Sequence, residues 1–222
     1  MEFGVIITAG GTSSRYGNKN KLLEKINNKE VIKYSTELFL EHPLITSVVI
    51  CANKSIIKTL NSILDIKNKK LKIIEGGATR QESVYNGLNN IECNYVLIHD
   101  GARPVITKEL IDKILTEVQI KKALTVATKT TDTIKEVQDG KIIKTLNRDI
   151  LYNIQTPQAF EYELIKKSHE KLLGKSFSDD AGMAESMGNC VYILENDYTN
   201  IKITTQNDLD IATIYLNNLN RI

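Results

Sequence analysis

"FGVIITAGGTSSRYGNKNK", Phe3 to Lys21, sets a continuous apolar run directly against a turn rich in glycine, serine and basic residues. A short unbroken apolar run is the pattern of a strand buried on both faces. A strand that feeds a Gly- and Ser-rich turn is how α/β folds present backbone N–H groups to phosphates. Two familiar phosphate loops are excluded by spacing. GxxxxGK[ST] fails because Gly11 and Gly17 have five residues between them and Asn18 follows, and GxGxxG does not occur. The turn is then either a solvated connector or a cradle for phosphate that carries Arg15, Lys19 and Lys21.

The same rhythm continues along the chain. The runs "SVVICA", "LKIIE", "YVLIHD", "LTVATK", "VYILEN" and "NIKIT" read as strands, and Lys202 falls within the last of them. Between most of them lie segments of helical period, such as "VIKYSTELFLEH" and "RQESVYNGLNNI". From Thr107 to Ile120, Leu110, Ile111, Ile114, Leu115 and Val118 form one stripe behind Thr107 as N-cap. A last helix, roughly Gln206 to Leu219, carries Leu209, Ala212, Leu216 and Leu219 on one face. Strands alternating with helices predict an α/β layer fold with a mostly parallel sheet. One segment departs from this. Asp139-Gly140 is a type I′ hairpin signal, flanked by "TIKEV" and "KIIKTL". It predicts a β-arm over about 130–155 projecting from a single domain of residues 1–222. A two-stranded arm is marginal alone in water, so it is expected to pack on a second subunit.

Bulk properties narrow the function classes. The chain of 222 residues is long enough for a sizeable core, and its net charge of +2 gives no general drive toward nucleic acid or membrane. Cys51, Cys93 and Cys190 are widely spaced and form no CxxC pair, which argues for reduced thiols in the cytoplasm and against a zinc site. No apolar run approaches the ~20 residues of a membrane span.

Three further stretches carry chemistry. "EGGATRQESV" (Glu75–Val84) follows a strand and opens a helix. It is either a plain strand-to-helix turn or a site where Gly77, Ala78, Arg80 and Ser83 read a base or ribose. "HDGARP" (His99–Pro104) places Asp100 at the end of an apolar strand, where open α/β sheets bind ligands, with Arg103 three residues on. "SDDAGMAE" (Ser178–Glu185) reads as a helix capped by Ser178. No Ser/His/Asp arrangement or metal-ligand spacing emerges. The set Arg15, Lys21, Arg80, Arg103, Arg148 and Lys202, against Asp100 as the acidic member, suits a polyanionic ligand and a reaction in which negative charge grows on phosphorus oxygens.

"AGGTSSRYG…NKLL", "GGATRQESV", "HDGARP", "NIQTPQAF", "SDDAGMAE" and "NIKIT" together resemble the 2-C-methyl-D-erythritol 4-phosphate cytidylyltransferases, in order and over essentially the whole chain. The resemblance implies a Rossmann-like three-layer nucleotidyltransferase fold. CTP would be held by Ala9, Gly10, Gly11, Thr12, Gly77, Ala78, Arg80 and Ser83, with Mg²⁺ carried on its triphosphate. Arg15 and Lys21 match the catalytic pair. Arg148 and Lys202 match the residues that position the sugar phosphate, and Asp100, Arg103, Thr133, Thr156 and Ser178 match further binding positions. The family is homodimeric through the arm, so Thr133 and Arg148 would act across the interface. Three positions depart from the usual pattern: the first loop reads "AGGTSSR", Asn20 rather than proline precedes Lys21, with Lys19 as rival lysine, and Ser178 stands where threonine is frequent. Two other readings stand beside this one, a pentitol-phosphate (ribitol 5-phosphate) cytidylyltransferase and a nucleotide-binding module without catalysis.

Overall fold

The structure is a computed structural model and describes residues 1–11, 16–17 and 19–219. The elements run β1 (Phe3–Ala9), the short pair β2 (Lys25–Ile26) and β3 (Lys29–Glu30), α1 (Val31–Glu41), β4 (Ile45–Ala52), α2 (Lys54–Ile63), β5 (Leu71–Glu75), α3 (Arg80–Leu88), β6 (Tyr95–Asp100), α4 (Lys108–Lys121) and β7 (Ala123–Lys129). The arm β8 (Lys135–Gln138) and β9 (Lys141–Thr145) follows, then β10 (Tyr152–Glu161), α5 (Tyr162–Lys171), α6 (Asp180–Ser186), β11 (Tyr192–Glu195) and α7 (Gln206–Asn218).

Seven strands form one sheet in the order β11-β7-β10-β6-β1-β4-β5. β1 lies between β4 and β6, parallel to both, and β5 and β11 are parallel to their neighbours. β10 is the exception, antiparallel to β6 and β7. It returns from the arm straight alongside β7, and an antiparallel neighbour needs no crossover helix.

Alternation along β1 builds the layers. Val5 and Ile7 point to the face covered by α1, α2 and α4, whereas Ile6 points to the face covered by α3, α5 and α6. Both faces are dry, which is why the central strands are apolar without a break. Thr107 caps α4 by accepting from the Leu110 N–H at 3.2 Å, and the predicted stripe from Leu110 to Val118 is buried. Fully burying one such side chain contributes roughly 1.5–3 kcal/mol. A smaller cluster seats α7 through Leu209, Ala212 and Leu216 against Tyr34 and Val105.

Two local expectations change. Residues 201–204 join no strand; Ile203 is tied by a single backbone bond to the Ala102 carbonyl, in the loop after β6. Lys202 therefore comes from an extended segment crossing the sheet's edge rather than from within the sheet. The cap of α6 is Asp179, not Ser178, because the Asp179 carboxylate accepts from the Gly182 N–H at 3.0 Å and starts the helix one residue later. The arm's Asp139 and Gly140 have φ of 49° and 76°, as a type I′ turn requires.

Candidate active site

Chain order fixes where a site can form. From β1 the chain winds outward to β4 and β5, then returns through α3 to β6 on the other side of β1. The winding reverses between β1 and β6, and the crevice beyond their C-terminal ends is where such sheets bind ligands. Thr8, the residue before the end of β1, pairs in register with Asp100, the last residue of β6. The Gly101 N–H donates to the Thr8 carbonyl at 3.1 Å, and the Thr8 hydroxyl donates to Asp100 at 3.2 Å. A cleft of about 330 Å³ opens there, lined by Ala9, Gly10, Gly11, Lys21, Gly77, Ala78, Arg80, Ser83, Asp100 and Lys202 among others.

The Glu75–Val84 turn is built by its own side chains. The Thr79 hydroxyl caps α3 by accepting from the Glu82 N–H at 3.1 Å. The Glu82 carboxylate takes the Ala78 N–H at 2.7 Å, and the buried Ser83 hydroxyl takes the Gly77 N–H at 3.0 Å. A β-carbon on Gly77 would lie 2.2 Å from Glu82 Cβ, and one on Gly76 would lie 2.8 Å from the Ser83 hydroxyl, so only glycine fits this fold-back. Because the Gly77 and Ala78 N–H groups are already engaged, the turn faces a ligand with carbonyl acceptors and the Arg80 side chain. Ser83 shapes this wall through the turn.

Lys21 enters the cleft from a bend in which the Asn20 side chain accepts from the Leu22 N–H at 3.0 Å and Leu22 is buried. Asparagine thus forms a side-chain turn at the position where proline was expected. Lys19 points elsewhere. It is paired at 3.9 Å with Glu24 and lines a neighbouring recess with Asn53 and Ser55, which meets the cleft at Gly11.

Asp100 is the hub. Lys202 Nζ lies 2.6 Å from its carboxylate, Arg80 Nε 3.5 Å and Arg103 Nε 3.9 Å. Burial disfavours its charge, but Lys202, Arg80 and Arg103 overcome this and hold it well below the usual carboxylate range. Burial pushes Arg103 below its ordinary value, and Arg103 donates to the Asn200 carbonyl at 2.7 Å. His99 is wholly buried and pushed down to about 4 by desolvation. In its neutral form Nε2–H donates to the Arg103 carbonyl (3.1 Å) and Nδ1 accepts from the Thr156 hydroxyl (3.2 Å). That hydroxyl accepts in turn from the Asp100 N–H at 3.0 Å. His99 is thus a support for the Asp100–Arg103 loop, not a proton carrier.

A second pocket, of about 280 Å³, adjoins the cleft and is lined by Arg103, Thr156, Ser178 and Asp179 together with Arg80, Asp100 and Lys202. The last three line both pockets and form the wall between them. Pairing of β10 with β7 is interrupted between Ile154 and Gln158, and Gln155 and Thr156 face the pocket from that gap. The Thr156–Pro157 peptide within it is cis. Thr133 and Arg148 line neither pocket. Both are exposed at the base of the arm, where Arg148 donates to the Thr131 carbonyl at 2.9 Å. Thr12 and Arg15 lie outside the described residues.

The cation-rich set gains a second acid, Asp180, paired with Arg80 at 2.7 Å and backed by His169 at 3.1 Å. Gln158 and Asn200 are likewise new. Gln158 accepts the Asp180 and Ala181 N–H groups, and Asn200 donates to the Thr156 carbonyl. Asp180 was visible in sequence only as a residue in the first turn of a helix. Its pairing with Arg80 is made by the fold.

The sequence model described as "IspD: 2-C-methyl-D-erythritol 4-phosphate cytidylyltransferase" matches residues 3–218. The chain belongs to this family. A relative of that name from Caldanaerobacter subterraneus subsp. tengcongensis is 40% identical over 225 residues, covering 97% of this chain and 99% of the relative. One from Clostridioides difficile (strain 630) is 38% identical over 223 residues, covering 97% and 94%. Among solved structures, the 4-diphosphocytidyl-2C-methyl-D-erythritol synthase from Anaerococcus prevotii DSM 20548 superposes with a TM-score of 0.85 at 32% identity, over 97% of this chain and 98% of the other. The Francisella tularensis family member, at 30% identity, gives 0.82 over 97% of this chain and the whole of the other. The cleft between β1 and β6 is therefore the candidate active site of a family member.

Proposed function

We infer that the protein transfers the cytidylyl group of CTP to 2-C-methyl-D-erythritol 4-phosphate, a step of non-mevalonate isoprenoid precursor synthesis. The observation that carries this reading is the shared wall. Arg80, Asp100 and Lys202 border two adjoining pockets at one sheet edge, as a two-substrate reaction needs. CTP occupies the larger cleft as its magnesium complex, the metal arriving on the triphosphate as part of the substrate. The carbonyls of the Gly77–Ala78 turn accept from the cytosine amine. The sugar phosphate takes the second pocket, held by Lys202, Arg103, Thr156, Ser178 and Asp100.

A phosphate oxygen of the acceptor attacks the α-phosphorus in line. The new phosphorus–oxygen bond forms as the bond to the β-phosphate oxygen breaks, and pyrophosphate leaves. Lys21 meets the charge that builds on the α-phosphoryl oxygens, together with Arg15. One cation about 4 Å from such an oxygen contributes roughly 4 kcal/mol at an effective dielectric of about 20. Thr133 and Arg148 complete the sugar-phosphate site of a neighbouring subunit in a homodimer formed through the arm. The exposed apolar residues Val137, Ile142, Ile143 and Ile150 on and beside the arm support this assembly. The three unpaired cysteines suit a cytoplasmic location.

The test is pyrophosphate release from CTP and magnesium with each of two acceptors. Turnover with methylerythritol phosphate is the expected result. Turnover with ribitol 5-phosphate alone would overturn the acceptor assignment, and CTP binding without turnover of either would leave a binding module.

A further inference from the structure

Arg80 opens α3, and its guanidinium spans two carboxylates from distant parts of the chain, Asp100 through Nε (3.5 Å) and Asp180 through Nη1 (2.7 Å). A guanidinium has five N–H donors, so it can hold both and still meet a ligand. Asp180 differs in kind from Asp100. Its side chain is buried and borders neither pocket, so it reaches a substrate only through Arg80.

The carboxylate is itself held in place. Its other oxygen faces His169 Nε2 at 3.1 Å, and the Asp180 N–H donates to Gln158 at 3.0 Å. The His169 ring is fully buried and stacked on Tyr85, with centroids 6.4 Å apart and planes 8° from parallel. Buried ion pairs contribute little net stability compared with apolar packing of the same volume. A charged pair backed by a buried histidine is thus poorly explained as core structure. It is well explained as a mount that sets the plane of one guanidinium at the boundary of two binding pockets.

We propose that Asp180 and His169 are positioning residues for Arg80, fixing its guanidinium in the orientation that receives the nucleotide. Asp100 alone, at the longer distance and already shared with Lys202 and Arg103, leaves that plane free to turn. The inference rests on the larger cleft being the CTP site.

The experiment uses the whole chain and five variants, with folded fraction and melting temperature measured for each. Asp180→Asn keeps shape and an acceptor but removes the charge. His169→Leu removes the donor to Asp180, whereas His169→Gln restores an N–H at nearly the same place. Asp180→Asn and His169→Leu are expected to raise KM for CTP about tenfold with kcat of the folded enzyme changed much less, and His169→Gln to stay within about twofold of wild type. In an Arg80→Gln background, Asp180→Asn should add less than about twofold, because its effect passes through the missing guanidinium. Lower melting temperatures with unchanged KM would overturn the proposal, as would a full additional loss without Arg80. A readout independent of substrate is the Arg80 Nη–H resonance, the group that faces Asp180, assigned by its absence in Arg80→Gln. Slow exchange in wild type and His169→Gln, with fast exchange in Asp180→Asn, is expected; the same exchange in all three would overturn it. Failure of the wild type to turn over CTP would sink the functional reading instead, and the resonance would still decide the role of Asp180.

Discussion

Lys21 and Lys19 are two residues apart, yet they face different surroundings. Lys21 lines the cleft beside Gly77 and Asp100, while Lys19 lines a neighbouring recess and pairs with Glu24. A cation whose service is to charge that develops in the transition state affects turnover more than ground-state binding. Lys21→Ala should therefore lower kcat roughly a hundredfold or more, with a much smaller change in CTP affinity by calorimetry. Lys19→Ala should stay within about twofold of wild type, and a larger loss there than at position 21 would reverse the assignment. His99 gives a second test at this scale. Its pKa is lowered from 6.5 to about 4 by burial, so between those values the unfolded chain binds a proton that the folded chain refuses. This contribution is fully present above pH 6.5 and fades as pH falls toward 4; integrated over the window it is worth about 3 kcal/mol. Asp100 and Asp180 are also depressed, but they act only below the ordinary carboxylate value of 3.8. Urea unfolding measured from pH 7 to 4 should show the falling stability in wild type and a flatter profile in His99→Gln. Equal slopes in the two proteins would contradict the assignment.

At the scale of elements, the arm is the most legible piece of the chain and the one whose purpose depends most on what covers it. Asp139-Gly140 predicts the turn because both residues must take positive φ, and they do. The alternating flanks predict the strands, and all their side chains from Lys135 to Gln138 and from Lys141 to Thr145 are exposed in a single chain. Two strands cannot bury Val137, Ile142 and Ile143 against one another, and the proposed dimer through this arm would give those side chains a core. Ile143→Asp should then shift sedimentation from dimer to monomer. It should also depress kcat/KM for the sugar phosphate more than CTP binding, because Thr133 and Arg148 would leave the neighbour's site. A wild-type protein that sediments as a monomer while fully active would end this reading. The helices were legible for the same reason as the arm: capping and periodicity are local, as Thr107 and the α4 stripe illustrate. The misreadings are also local. "NIKIT" has a strand's composition, but it runs past the sheet's edge with one bond to Ala102, and composition does not encode which carbonyls are within reach. The direction of β10 depends on the arm before it, which sets the side from which the chain returns.

Taken whole, the molecule brings residues far apart in sequence to one edge: Thr8 and Asp100 are 92 positions apart, and Asp100 and Lys202 are 102 apart. Each motif was readable by itself, because a charged residue closing an apolar strand stands out. The wall that joins Arg80, Asp100 and Lys202 was not readable, since it exists only once the winding reverses at β1 and β6. Asp180 was hidden for the same reason, its partner lying in another element. The assembled edge predicts a ligand-linked stability. CTP with magnesium at about 100 times its dissociation constant should stabilise the folded state by about 2.7 kcal/mol. For a chain of this size that raises the melting temperature by roughly 5–10 °C. The same protein tests the proposed magnesium and the way it would arrive. Among the described residues no cluster of three or more His, Cys, Asp or Glu is placed to hold an ion. If magnesium comes only on the triphosphate, a chelator should leave the melting temperature of the ligand-free protein unchanged while stopping turnover, and added magnesium should restore the rate. A ligand-free melting temperature that drops on chelation would instead mean that a metal is bound to the protein itself.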